Sequence, residues 1–238
     1  MRRNLIVGAA TGVAVIALIG ASAYAYFFSG LRTSPSSLAL SATPTATSSP
    51  AGASTGLAGT WKVTTGSLAG YRVQELFAGA TSKHLAVART SNVSGNLTVS
   101  GASAGYQVSG ITLSADLSSL HSVDQVVGRN VTQRDGIVSR QLSVQQFPNA
   151  TFTAASTSIP GPIAGSPVDV TAAGKLTIRG VTRDVTATAK AQVLGDRIEI
   201  AGTMTINMTD YGVTPPQVPF TAVDSTVTIE FDVFLTKT

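Results

Sequence analysis

The sequence predicts an all-β domain of antiparallel strands, set behind an apolar N-terminal segment and a polar spacer. Three observations lead there. Apolar and polar residues alternate with a period of two in segment after segment, the pattern of strands with one buried face. Glycines and short polar turns punctuate these segments. Small residues recur in the apolar rows and would leave volume beside the sheet.

From the N-terminus, residues 5–28 read LIVGAATGVAVIALIGASAYAYFF, without a charge. As a helix this run spans about 36 Å, against a hydrocarbon core of about 30 Å. Arg2 and Arg3 precede it and only Arg32 closely follows. Residues 1–28 are therefore expected to form a single-pass transmembrane signal-anchor, with the N-terminus cytoplasmic and the remainder extracytoplasmic, at the cell envelope. The competing reading is a cleaved signal peptide, with small-x-small sites at Ala21-Ser22-Ala23 and Ala23-Tyr24-Ala25. Residues 29–59 are nearly all Ser, Thr, Pro, Ala or Gly. So little apolar side chain predicts a flexible linker, with an r.m.s. span of roughly 30 Å.

Residues 60–238 fit one domain. Thr60–Ser67 and Gly70–Ala78 are expected to make the first strand pair. Val93–Ser100 puts Val93, Gly95, Leu97 and Val99 on one face; after a turn, Gly105–Leu117 does the same with Ile111, Leu113, Ala115 and Leu117. Val168–Arg179 sets Val168, Val170, Ala172, Gly174, Leu176 and Ile178 against Lys175 and Arg179. Val181–Leu194 follows, then the tight turn Gly195-Asp196 and Arg197–Met208, with Ile198, Ile200, Gly202, Met204 and Ile206 against Glu199. Ser225–Thr236 closes the chain with Val227, Ile229, Phe231, Val233 and Leu235 on one face. Seven to nine strands result. Lys175, Arg179 and Glu199 should be exposed.

Residues 118–147 are polar and lack the strand period, so one or two short helices capping the sheet are expected there. The inward rows contain Gly95, Ala115, Ala172, Gly174, Ala187, Ala189, Ala191 and Gly202. Such small residues leave volume. Either that volume holds a ligand, or Trp61 and the phenylalanines fill it.

Composition excludes several kinds of chemistry. There is no cysteine, hence no disulfide, thiolate site or lipoprotein anchor. Net charge is +4 but only 12% of residues are charged, with no basic run interleaved with aromatics, so no nucleic-acid partner is expected. With two histidines, His84 and His121, and no HExxH motif, neither a metal site nor a cofactor is expected. His121 and Asp124 lie three apart among many serines; a solvated polar pair accounts for them more simply than a catalytic triad. No catalytic residue is assigned and the chain is not expected to be an enzyme. Heavy use of Ala, Gly, Thr, Ser and Val suits a bacterium of high GC content.

One segment is more specific. Gly174-Lys175-Leu176-Thr177-Ile178-Arg179-Gly180-Val181-Thr182-Arg183-Asp184-Val185 resembles the G-x-L-T-I-x-G-V-T-x-x-V signature of YceI-like proteins. Arg134-Asp135 with Phe147-Pro148-Asn149-Ala150-Thr151-Phe152, and Asp210-Tyr211-Gly212-Val213 with Pro215-Pro216, resemble further elements of that family in the same order. So do Thr60-Trp61, Tyr71-Arg72-Val73 and Ala88-Arg89-Thr90. Phe147, Ala88 and Tyr211 are mild departures, standing where tyrosine, glycine and phenylalanine or tryptophan are usual.

The resemblance covers residues 60–238. It implies a lipocalin-like antiparallel β-barrel of about eight strands around a long apolar pocket, binding a polyisoprenoid or other long-chain lipid outside the cytoplasm. Arg134 and Asp135 would orient the capping segment or meet a polar head group. Candidate lining residues, taken from the inward rows and the aromatics, are Val73, Phe77, Leu97, Leu113, Leu117, Phe147, Phe152, Ile178, Ala187, Ala189, Ile200, Ile229 and Phe231. The alternative is a cell-envelope interaction protein whose barrel is packed solid and holds no ligand.

Overall fold

The structure, a computed structural model, describes residues 18, 20, 32–42, 56–102, 105–126, 129–160, 166–219 and 221–238. In chain order its strands are β1 Arg32–Thr33, β2 Gly59–Val63, β3 Leu68–Phe77, β4 His84–Thr90, β5 Val93–Ala102, β6 Gly105–Asp116, β7 His121–Ser122 and β8 Gln125–Val126. An α-helix, α1 Gln133–Gln141, precedes β9 Asn149–Pro160, β10 Val168–Ile178, β11 Val181–Leu194, β12 Arg197–Asn207, β13 Gln217–Val218 and β14 Thr221–Lys237.

Eight strands close an antiparallel barrel in the order β12-β11-β10-β9-β6-β5-β2-β14, and β14 pairs back onto β12. Closure depends on the length of β14. One edge of it pairs with β12 from Arg197↔Thr236 to Asn207↔Thr226. Its other edge is shared: β2 takes Leu235–Lys237 and β3 takes Thr221–Asp232. The expected pairing of the first two strands with each other is therefore corrected. They lie end to end along β14, because the turn at 64–67 offsets the chain without reversing it. Beyond β3 the wall continues into β4 and β7.

The barrel has two unlike ends. At one, Trp61, Leu97, Val99, Val108, Ile198, Val233 and Leu235 are buried in a continuous core. At the other, where Phe77, Thr221, Asn207, Ile178 and Asp116 end their strands, the segment 117–142 folds across. That segment holds a single helix, with a 3-10 turn at Leu117–Ser119 and the short strands β7 and β8 in place of a second.

The apolar segment 5–28 lies outside the described residues except for Leu18 and Gly20, and among the described residues no helix is long and apolar enough to cross a membrane. The linker expectation needs correction within 32–42. β1 pairs with β8, Arg32↔Val126 and Thr33↔Gln125. Residues 34–41 then cross the outer wall as a strap. The Ser34 hydroxyl donates to the Leu85 carbonyl, Arg72 and Arg89 donate to the carbonyls of Pro35 and Ser36, the Leu38 amide donates to Glu230, and the Ser41 amide donates to Glu199. Composition missed this because the strap is held mostly through its backbone, which composition does not describe. The strap also explains why Glu199, expected exposed, is fully buried.

Candidate functional site

Under the 117–142 segment lies a cavity of about 600 Å³. Inward residues of β3 (Ala69, Tyr71, Val73, Glu75, Phe77), with Val227 and Ile229 paired beside them on β14 and Ile206 next on β12, form a continuous wall, and Ile178 of β10 also lines the cavity. Met208, Tyr211, Val213 and Pro216 close one side. Leu117, Leu120, Ile137, Val138 and Leu142 roof it, and the exposed Arg129, Asn130 and Gln133 stand at its rim. The lining is almost wholly apolar. Period-two alternation puts Tyr71, Val73, Glu75 and Phe77 on the same face of β3, so one polar group enters an otherwise oily wall.

That group, Glu75, belongs to a buried cluster. His84 sits directly across from it in the β3–β4 register. Asp124, just before β8, places Oδ2 2.7 Å from His84 Nε2 and accepts the Val87 amide on Oδ1 at 3.0 Å. Arg134 of α1 reaches in, Nη1 to Asp124 Oδ1 at 2.7 Å and Nη2 to Glu75 Oε1 at 2.6 Å. This fixes the roof to the wall. Asp135 adds a second tie, accepting the Ser122 amide at 2.9 Å and the Ser122 hydroxyl at 2.6 Å.

Burial pushes the Glu75 carboxyl up despite the charge of Arg134. Burial acts the same way on Asp124, yet hydrogen bonds from His84, Arg134 and the Val87 amide outweigh it and hold that carboxyl well below the ordinary range. Burial also pushes the Tyr71 hydroxyl up. Glu75, His84 and Asp124 bring potential metal-ligand atoms within 4.8 Å of one another. The guanidinium of Arg134 already supplies a cation to both carboxylates, and its hydrogen bonds account for their charge.

Of the thirteen candidate lining residues, Val73, Phe77, Leu117, Ile178 and Ile229 stand in the cavity wall. The other eight do not. Leu97, Phe152, Ala187 and Phe231 are buried in the packed core, and Leu113, Ala189 and Ile200 pack against it. The small residues there let backbones and rings approach closely. A Cβ on Gly174 would lie 2.7 Å from the Phe152 ring, and one on Gly202 would lie 2.6 Å from the Ala189 Cβ. Phe147 packs over Gly180, whose φ of +73° makes the β10–β11 turn, outside the cavity.

The cluster itself was half legible. Arg134 was singled out, but Asp124 was set beside His121, whereas it pairs with His84; His121 is exposed and its Nδ1 lies 3.1 Å from the Ser119 carbonyl. The available signal was Glu75, a charge on an apolar row of β3.

The YceI-like domain model matches residues 53–235, and the chain belongs to that family. No curated protein matches it. Among solved structures, a polyisoprenoid-binding domain from Saccharophagus degradans, implicated in plant cell wall breakdown, aligns with a TM-score of 0.51 at 16% identity, over 76% of this chain and 99% of that one. BcnA of Burkholderia cenocepacia (18% identity, TM-score 0.45, 69% of this chain and 95% of that one) and a Campylobacter jejuni YCEI protein (16% identity, TM-score 0.47, 68% and 94%) are also similar. At these identities the likeness is one of fold.

Proposed function

We propose that this chain binds a long apolar lipid, of polyisoprenoid or fatty-acid type, in the barrel cavity, and that residues 5–28 tether it to the outer side of a cell membrane. The observation that carries the binding is the cavity itself. A methylene fills roughly the volume of a liquid water, about 30 Å³, so 600 Å³ has room for on the order of twenty carbons. An unfilled apolar space of this size in an otherwise close-packed barrel costs stability unless a ligand occupies it. The family, and a neighbour described as polyisoprenoid-binding, support the same reading. Glu75, Tyr71 and Arg134 offer the few polar groups that would orient one end of such a ligand.

The test is displacement of the fluorescent probe N-phenyl-1-naphthylamine from the full chain by primary alcohols of increasing length. Each buried methylene contributes about 0.8 kcal/mol, about fourfold in affinity. Affinity should climb by that step and level off near twenty carbons. Affinity independent of chain length would refute the proposal.

A further inference from the structure

The path of the strap gives the tether a direction. β2 starts at the packed end of the barrel, where Lys237 Nζ bonds the Gly56 carbonyl. A free linker entering there would attach the membrane to the end opposite the cavity. The strap reverses this. Running backwards from Ser41, beside Glu199 and Gln192 near the packed end, it crosses Glu230, Arg89 and Arg72. It reaches β8 at Arg32↔Val126. Val126 bridges to Arg129, and Arg129 lies over the Phe77 ring at the cavity rim. The emergence point of the chain is thereby moved along the length of β3, ten residues or about 33 Å at about 3.3 Å each.

We propose that the strap holds the cavity mouth against the bilayer surface, so that the lipid passes between membrane and barrel without crossing water. This rests on the tethered lipid-binding reading and adds the source of the ligand. Residues 29–31 are all that separates the apolar segment from β1, and fully extended they reach at most about 11 Å. The rest of the mouth suits a lipid surface. Besides Leu18, the exposed large hydrophobics among the described residues are Leu76, at the mouth end of β3, and Ile137, on the roof helix. Arg140 lies three residues from Ile137 on the same helix, and Arg129 lies over the ring of Phe77, the residue after Leu76. Apolar side chains among arginines are what an anionic bilayer surface takes.

The strap is held firmly enough to set this orientation. Glu230 is fully buried between Arg89 Nε at 2.9 Å and Arg72 Nε at 3.3 Å, and the Leu38 amide reaches it at 3.1 Å. Gly70 lies between Arg89 and Glu230 in the strand register, leaving the space over which the arginine side chain crosses β3. At the other end, Glu199 takes the Ser41 amide and hydroxyl, both at 2.8 Å.

The chain has no cysteine, so single labels can be placed cleanly. Full-length Ile137→Cys and Asp196→Cys, the latter in the turn at the packed end, would each be labelled with bimane. They would be reconstituted into phosphatidylcholine–phosphatidylglycerol vesicles containing a headgroup-nitroxide lipid. The label at position 137 should be quenched several-fold more than that at 196. Replacing residues 34–41 with Gly/Ser of equal length should bring the ratio close to one. So should Leu38→Pro with Ser41→Pro, which removes three strap donors, two amides and the Ser41 hydroxyl, and alters no barrel residue. Equal quenching in the intact chain, or a ratio that survives both strap variants, would overturn the proposal. Probe binding in the same samples separates the two claims. Lost orientation with binding intact refutes only this one; retained orientation without binding refutes the lipid reading and the lipid's passage with it, and leaves the strap's orienting role.

Discussion

Strand β3 carries a buried ionic cluster on each face. Inside, Glu75 meets Arg134, with Asp124 and His84; outside, Arg72 meets Glu230, with Arg89. Both bury arginine and carboxylate, but they are enclosed differently. The inner cluster is closed by α1 and the barrel wall, and its partners are mostly side chains fixed within the domain. The outer one is covered by an eleven-residue stretch, 32–42, that adds backbone donors and acceptors. Removing a partner inside leaves charge in a dry space. Removing the cover outside lets water take its place. The first arrangement is structural, and the second can open without unfolding the barrel.

The largest effect should come from Arg134→Ala. It strands Glu75 and Asp124 without their cation, and losing one partner of a buried ion pair costs about 3–5 kcal/mol. Denaturant unfolding of the full chain should show this drop. Glu230→Gln tests the outer cluster; Arg72 and Arg89 then lose their counter-charge yet can turn to water, so about 1–2 kcal/mol is expected. An outer loss as large as the inner one would break the contrast. The strap prolines should cost less again, about 1 kcal/mol or below, while hydrogen exchange in residues 34–42 rises and that in the barrel strands does not.

Acid and base should also distinguish the two faces. Asp124 is held below the ordinary carboxylate range, so its contribution is present above that range and is lost as pH falls beneath it. Asp232, on the outer face of β14, behaves oppositely. Burial, then the charge of Glu199, push it from 3.8 up to about 7. The folded state therefore holds a proton the unfolded chain has released. Stability from this group is full below the ordinary value and declines as pH rises to about 7. Asp232→Asn should abolish that decline and leave the acid limb due to Asp124 in place. An unchanged pH profile in the variant would remove the Asp232–Glu199 carboxyl pair from the account.

Much of the barrel was legible because its information is local. Alternation in β5, β6, β10, β11, β12 and β14 reads directly from residues such as Leu176, Ile178 and Val233, and the G-x-L-T-I signature led to the family. β4 and β9 were not identified from the pattern, nor was the shared edge of β14, which depends on long-range pairing. The cavity was placed too deep. Small inward residues were read as leaving volume either for a ligand or for Trp61 and the phenylalanines; Gly174 is covered by Phe152, as the second alternative has it, and Gly202 by Ala189. Void volume is a property of facing strands and cannot be counted along one. The same reasoning put Ala187 among the candidate lining residues, whereas it is buried in the packed core. In this packed core, Ala187→Phe should destabilise by about 1–3 kcal/mol through overpacking. Ala115 and Ala150, paired across β6 and β9 in the cavity wall, are the positions where added volume has somewhere to go.

Ala115→Phe therefore gives the most direct test of the central claim, that the mouth-end cavity holds a long apolar lipid. Organic extracts of the purified full chain and of this variant would be compared by mass spectrometry after extensive washing. The account predicts a long-chain lipid retained by the native chain and lost from the variant, whose melting temperature stays near that of the native protein. The same lipid recovered in the same amount from both would contradict it.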